Sequence, residues 1–333
     1  MADTRPERTV TISDMAGILA FVPALVGFKP ERSLVVMFLG GHRVAMTMRA
    51  DLNGANVAQL VVTTLRAARQ SAAEELVIAA YMPNVSEVTR AILCDLAAGI
   101  ELESIDDEPP LRVLGLAAVG RDGWCELDPW EPGIPPLRPL AELEEHAMHA
   151  QGVYEGRVVA TSRDEIAARV KPDSETRSTA FEVAAEAVIT ALPALSDHEA
   201  AQMMTEHMQE VESKPVGSLI DEVSLARMMV LLAHPAARDA AMLRIDRDNA
   251  LTWVAAWSQV VRVSGGRVAC AALFLTGVAA WQSGDGALMN MCCDEARAID
   301  PEHIGVQVLT AVTEQCWQPE VFDSLKTDLR AAS

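Results

Sequence analysis

The chain has 333 residues, half of them hydrophobic, and sets 27 Lys and Arg against 47 Asp and Glu for a formal charge of -20. A balance of that sign argues against bare nucleic acid as a direct partner, because binding a polyanion needs a basic face. The length suits two domains, and an apolar content carried by Ala, Val, Leu and Met, with 4% aromatic residues, favours helices packed through small side chains.

The opening MADTRPERTVTISD is polar and without an apolar signal core, and no stretch approaches 18 uninterrupted apolar residues. A cytoplasmic protein with no membrane partner is therefore expected. Within that opening, residues 8–12 (RTVTI) read as a short strand. Ser13 is placed to cap a helix from Asp14, and Pro23 should kink or break that helix before Gly27 ends it.

Ser33 to Leu39 is a continuous apolar run of strand length. Gly40 and Gly41 follow, and then an alternating run in which Val44, Met46, Met48, Ala50 and Leu52 should face a core while Arg43, Thr47, Arg49 and Asp51 face away. This pattern predicts a hairpin. Apolar residues at Val57, Leu60, Val61, Leu65 and Ala68 recur at helical spacing, Leu76 to Tyr81 reads as a buried strand, and Val85 to Ala98 as a second helix. The acidic cluster from Glu101 to Glu108 ends at two prolines and reads as a solvated loop. Leu111 to Val119 is a further strand, turning at Gly120-Arg121-Asp122-Gly123 into Trp124 to Leu127. Strands alternating with helices, together with the hairpins, predict an α/β domain built on a mixed sheet covered by helices over residues 1–140.

Residues 128–140 carry five prolines in thirteen positions and read as a rigid stretch, opening a connector that covers 141–175. From 176 to 333 the chain shows helical segments separated by punctuation, including a capping box at Ser196 and Glu199, so an all-α helical array is expected. Residues 273–301 resemble one tetratricopeptide repeat, with Gly277, Ala280 and Ala296 as small contact residues and Pro301 as the stop. No second copy recurs at a fixed period, so a lone αα-hairpin and a short tetratricopeptide-like array both stand.

Phosphate-binding glycine loops, the nucleophile elbow and the zinc-protease helix motif are absent, which weighs against an enzyme. The six cysteines form no C-x-x-C pair, and Cys292 and Cys293 would point about 100 degrees apart on a helix. Reduced thiols, with no metal and no cofactor, are expected. His146 and His149 share a helix face beside Glu142 and Glu145, a spacing that suits a solvated acidic helix better than a metal site. The most distinctive polar segment is Gly27-Phe28-Lys29-Pro30-Glu31-Arg32-Ser33. Lys29 and Arg32, with Arg49 and Asp51 from the neighbouring strand, could converge on an anionic small ligand or nucleotide; helix-exit chemistry is the bland account. Trp253 and Trp257 lie one helical turn apart and read either as core or, with Trp317, as the edge of a partner-binding groove.

Residues 12–52, 156–172 and 279–288 resemble an actinobacterial and actinophage family known as domain of unknown function four-one-nine-two, and the likeness extends over nearly the whole chain. Members of that family often carry several cysteines after the tryptophan matching Trp124. Here Cys125 alone is kept, followed by Trp130, Glu131 and Pro132, which removes the basis for a metal or redox role in that loop. The resemblance implies no activity. The expected role is that of an interaction or scaffold protein, through a protein partner or self-association; the alternatives are an enzyme or small-ligand binder at the Gly27 to Ser33 loop, and an acidic mimic of nucleic acid.

Overall fold

The computed structural model describes residues 14–41, 43–52, 54, 56–107, 109–148, 159–173, 177–191 and 194–332. The strand expected at 8–12, the cap expected of Ser13, Glu108 and His149 lie outside the described residues. The chain divides into two compact units, residues 1–161 and 162–333.

In the first unit the two apolar runs flanking the glycine pair form the predicted hairpin. β1 (Ser33–Gly40) pairs antiparallel with β2 (Arg43–Asp51), and Gly41 supplies a positive φ of 55° at the turn. β1 is buried from Ser33 to Phe38 because it has neighbours on both sides. The alternation of β2 is blunted: Val44, Met46, Met48 and Ala50 are half-buried, and β2 is the sheet's edge, with a strand neighbour on one side only. β3 (Glu75–Tyr81) pairs antiparallel with β1 and parallel with β4 (Arg112–Gly120), and β5 (Gly123–Leu127) returns antiparallel to β4. The result is a mixed five-stranded sheet in the order β2-β1-β3-β4-β5.

A parallel pair needs a crossover. α3 (Glu87–Glu103) provides it between β3 and β4, while α2 (Val57–Ser71) links β2 to β3 and packs on α3. Side-chain caps set both starts: Asn56 accepts from the amides of Ala58 and Gln59, and Ser86 accepts from Thr89 N at 3.2 Å. α3 outruns its predicted end and takes in Glu101 and Glu103. These two acids of the cluster expected as loop are therefore helical, and Glu101 there accepts from Val113 N at 3.3 Å.

α1 (Met15–Val26) differs from expectation in two ways. Its cap is Asp14, whose carboxylate accepts from Gly17 N at 2.7 Å, and it continues through Pro23 to Val26, ending on Gly27 at φ 81°. Pro23 cannot donate to the carbonyl four residues earlier, that of Leu19. The buried Tyr81 hydroxyl from the end of β3 donates to that carbonyl instead, at 3.4 Å. The orphaned acceptor is thus satisfied from outside the helix, which offsets part of the cost of keeping Pro23 inside it.

Among its described residues the second unit contains helices and no strand. Its elements are α5 (Arg163–Arg169), α6 (Thr179–Ala191), α7 (Asp197–Glu212), α8 (Glu222–Leu231), α9 (Pro235–Leu243), α10 (Ala250–Val263), α11 (Gly266–Gln282), α12 (Gly286–Ile299), α13 (Ile304–Glu314) and α14 (Glu320–Ala332). The Ser196–Glu199 capping box forms as expected, with Ser196 N donating to Glu199 at 2.9 Å and Glu199 N to Ser196 Oγ at 3.3 Å. α11 is the buried centre, flanked by α10, α12 and α13. Small residues permit this: a Cβ at Gly277 would come 2.7 Å from Leu309 Cδ1 and 3.4 Å from Cys292 Cβ. Lys326 of α14, almost fully buried, ties the C-terminal helix down by donating to Ile245 O at 3.1 Å and pairing with the carboxylates of Asp246 and Asp323. No helix among the described residues is long and apolar enough to cross a membrane.

Candidate functional site

The first unit holds a pocket of about 260 Å³ at the carboxyl ends of the parallel strands β3 and β4. Its base is laid by those strand ends. Met82 N donates to Val119 O at 2.9 Å and Arg121 N to Pro83 O at 3.2 Å, so the backbone lacing continues past the sheet and carries Arg121 to the rim. Gly120 makes the approach possible, because a Cβ there would lie 3.1 Å from Val85 N. Burial pushes the Tyr81 phenol up from its ordinary value of 10.0, so its hydroxyl stays protonated and keeps donating to α1.

One wall is the Leu19, Ala20 and Pro23 face of α1. Another is the loop after Gly27, held at both ends by backbone bonds: Ala160 N donates to Gly27 O at 2.8 Å, Lys29 N to Ala160 O at 3.3 Å, and Leu52 N to Arg32 O at 2.9 Å. The third is α4 (Ala141–Glu144), which contributes Leu143 and Glu144 and packs on α1. The proline-rich segment delivers α4 by folding back along β5: Arg138 N and Trp124 O bond at 2.7 Å, Trp124 N and Arg138 O at 2.9 Å, and the Arg138 guanidinium stacks 4.2 Å from the Trp124 ring. Arg138 also pairs with Glu142 at 2.8 Å.

The walls are mainly apolar and the mouth is charged. Lys29, Glu31, Arg121 and Glu144 line it, all four exposed, and among the described residues none of these side chains has a hydrogen-bond or ion-pair partner. The four residues proposed from sequence for a ligand do not gather there as a set. Lys29 lines the pocket. Arg49 donates from Nε to the buried Ser33 Oγ at 3.0 Å, pairs with Asp51 and sits 5.7 Å from the Phe28 ring centre, so it braces the loop from β2. Arg32 stands at a positive φ of 46°, and neither it nor Arg49 nor Asp51 lines the pocket.

Arg121, Glu144 and Tyr81 were missed. Arg121 had a signal: it is the first residue past a strand of the parallel pair, and α/β sheets bind ligands at such ends. Glu144 had none, because its place depends on the fold-back of the proline-rich segment.

The proposed partner-binding tryptophans have other surroundings. Trp253 and Trp257 are fully buried with ring centres 6.0 Å apart, so their faces are closed within the second unit. Trp317 is half-buried and its carbonyl accepts from Trp281 Nε1 at 3.0 Å. His146 lies 3.7 Å from the Asp14 carboxylate, and among the described residues no three His, Cys, Asp or Glu side chains gather as a metal-ligand set. Burial raises the Cys125 thiol above its usual range, which disfavours the reactive thiolate.

Comparison with curated proteins finds no match, and comparison with solved structures finds none either. The sequence does match, over residues 16–320, the family described as Domain of unknown function (DUF4192), and this chain belongs to that family.

Proposed function

We propose that the first unit binds a small molecule in the pocket at the carboxyl ends of β3 and β4. One observation carries the reading: a preformed apolar cavity, walled by α1, α4 and the two strand ends, opens at a mouth of charged side chains that have no partner among the described residues. Pockets of this make-up, at this position in an α/β sheet, are where small ligands are taken up. Its volume, a little below the usual range of about 300–1,000 Å³, suits a compact ligand. Of the tryptophans named for an interaction role of the second unit, Trp253 and Trp257 are core residues and Trp317 is half-buried.

The test is a fragment screen on the full chain by thermal shift and ligand-observed NMR, with Ala20→Phe as the control. Ala20 lines the pocket, so a phenyl ring there takes up ligand space. A ligand at 100 times its Kd stabilises the wild type by about 2.7 kcal/mol, and that gain should vanish in the variant while its far-UV spectrum is unchanged. Fragments that stabilise both proteins equally, or a screen without hits, would refute the assignment.

A further inference from the structure

The charges at the mouth say more about the occupant than the cavity does. Other arginines of the same unit are neutralised by carboxylates: Arg49 by Asp51, Arg69 by Asp107, Arg112 by Glu75 and Arg138 by Glu142. Arg90 is met instead by the Pro129 and Glu131 carbonyls, whereas Lys29 and Arg121 at the pocket have no partner among the described residues. Lys29 and Arg121 arrive from the loop after α1 and from the β4–β5 turn, Glu31 and Glu144 from the same loop and from α4, and the two signs do not pair with each other. Deeper in, the Tyr81 hydroxyl is already committed to the Leu19 carbonyl.

We infer that the occupant is zwitterionic: a compact apolar body bearing one anionic group, a carboxylate or a phosphate, met by Lys29 and Arg121, and one cationic amine met by Glu31 and Glu144. This rests on the pocket being a ligand site. A purely anionic ligand would enter a mouth holding two carboxylates, in a chain whose formal charge is already -20. A purely cationic one would meet two cations. A neutral ligand would leave all four charges to water and take no orientation from them. An amphoteric ligand answers both signs at once, and matched charges at a mouth confer selectivity more than raw affinity. The apolar walls then select the body of the molecule, and the charges set its orientation.

The experiment uses the full chain and matched probes. Phenylalanine and leucine carry both charges; 3-phenylpropanoate and 4-methylpentanoate lack the amine; phenethylamine and isopentylamine lack the carboxylate; 3-phenylpropanol lacks both. The aminophosphonate counterparts of the two amino acids separate a carboxylate from a phosphate-type anion. Titration calorimetry should show the best zwitterion binding about tenfold or more tightly than each of its single-charge analogues. Arg121→Met should abolish its advantage over the amine, and Glu144→Gln its advantage over the acid. Both are exposed positions, and circular dichroism checks that each variant is folded. If the single-charge or uncharged probes bind as tightly as the zwitterions and lose binding in Ala20→Phe, the zwitterion inference is wrong while the pocket assignment stands. If no probe binds, or Ala20→Phe changes nothing, both fall.

Discussion

The two units of this protein treat interior space differently. In the sheet unit, strands end together at the edge of the core, and the segments that continue from them leave about 260 Å³ between α1, α4 and the strand tips. In the helical unit a void beside the loop at Pro215 and α10 is about 10 Å³. The difference follows from the elements. Helices packed through Ala and Gly can slide together until the gaps close, as α11 does around Gly277. A strand pair has its spacing set by backbone hydrogen bonds, so whatever is not covered at its end stays open. The comparison teaches where to look for chemistry in such a chain: in the unit that cannot close, although the unit with six of the larger helices is the better packed.

The sharpest way to break that contrast is to open the closed unit. Trp257 is fully buried in the core of α10, and Trp257→Ala should cost about 3–5 kcal/mol. Urea denaturation measures it, and a loss under about 1 kcal/mol would mean that the helical core is looser than its contacts imply.

A smaller effect should come from loosening the wall of the open unit. Gly123 sits at φ 148°, and a Cβ there would lie 2.5 Å from Arg138 O, a backbone atom that cannot turn aside. Gly123→Ala should therefore cost roughly 1–3 kcal/mol and weaken the bond pair between Trp124 and Arg138 that leads the chain to α4. Hydrogen exchange at the Arg138 amide would report it directly. Unchanged protection there would show that the fold-back is held by other contacts.

The smallest effect concerns pH, and it should fall on the helical unit. His303 Nδ1 accepts from Gly305 N at 3.1 Å as the cap of α13, a bond that requires the neutral ring. Burial first, and then the Arg238 charge, hold His303 below its ordinary 6.5; burial followed by Arg227 does the same for His207. With folded values depressed, the unfolded chain binds protons first as pH drops through 6.5. The stability is present above that value and is lost as pH falls through the folded pKa values. His303→Asn keeps a capping acceptor without the titration, so it should reduce the loss between pH 7.5 and 5.5 by about 1 kcal/mol or less. Identical pH profiles for wild type and variant would remove His303 from this account.

Local chemistry was legible in the residues themselves. Alternation and turn glycines marked the β1–β2 hairpin, a continuous apolar run marked β3, and Ser196 with Glu199 marked the start of α7, because each of these depends on neighbours a few residues away. Lys29, which lines the pocket, could be singled out for the same reason: it sits in a short polar loop between two strong elements.

What tertiary structure alone decided are the contacts made across long sequence separations. Helical spacing places Trp253 and Trp257 on one face but does not say whether that face meets solvent or core; packing closed it. Pro23 was expected to kink or break α1, yet the helix runs through it to Val26, and a hydroxyl 62 residues away reaches the carbonyl that the proline orphaned. The pocket depended on the tertiary fold most of all. Its lining comes from α1, the loop after it, the ends of β3 and β4, and α4, segments that carry no common pattern in sequence because only the closure of the sheet unit makes them neighbours.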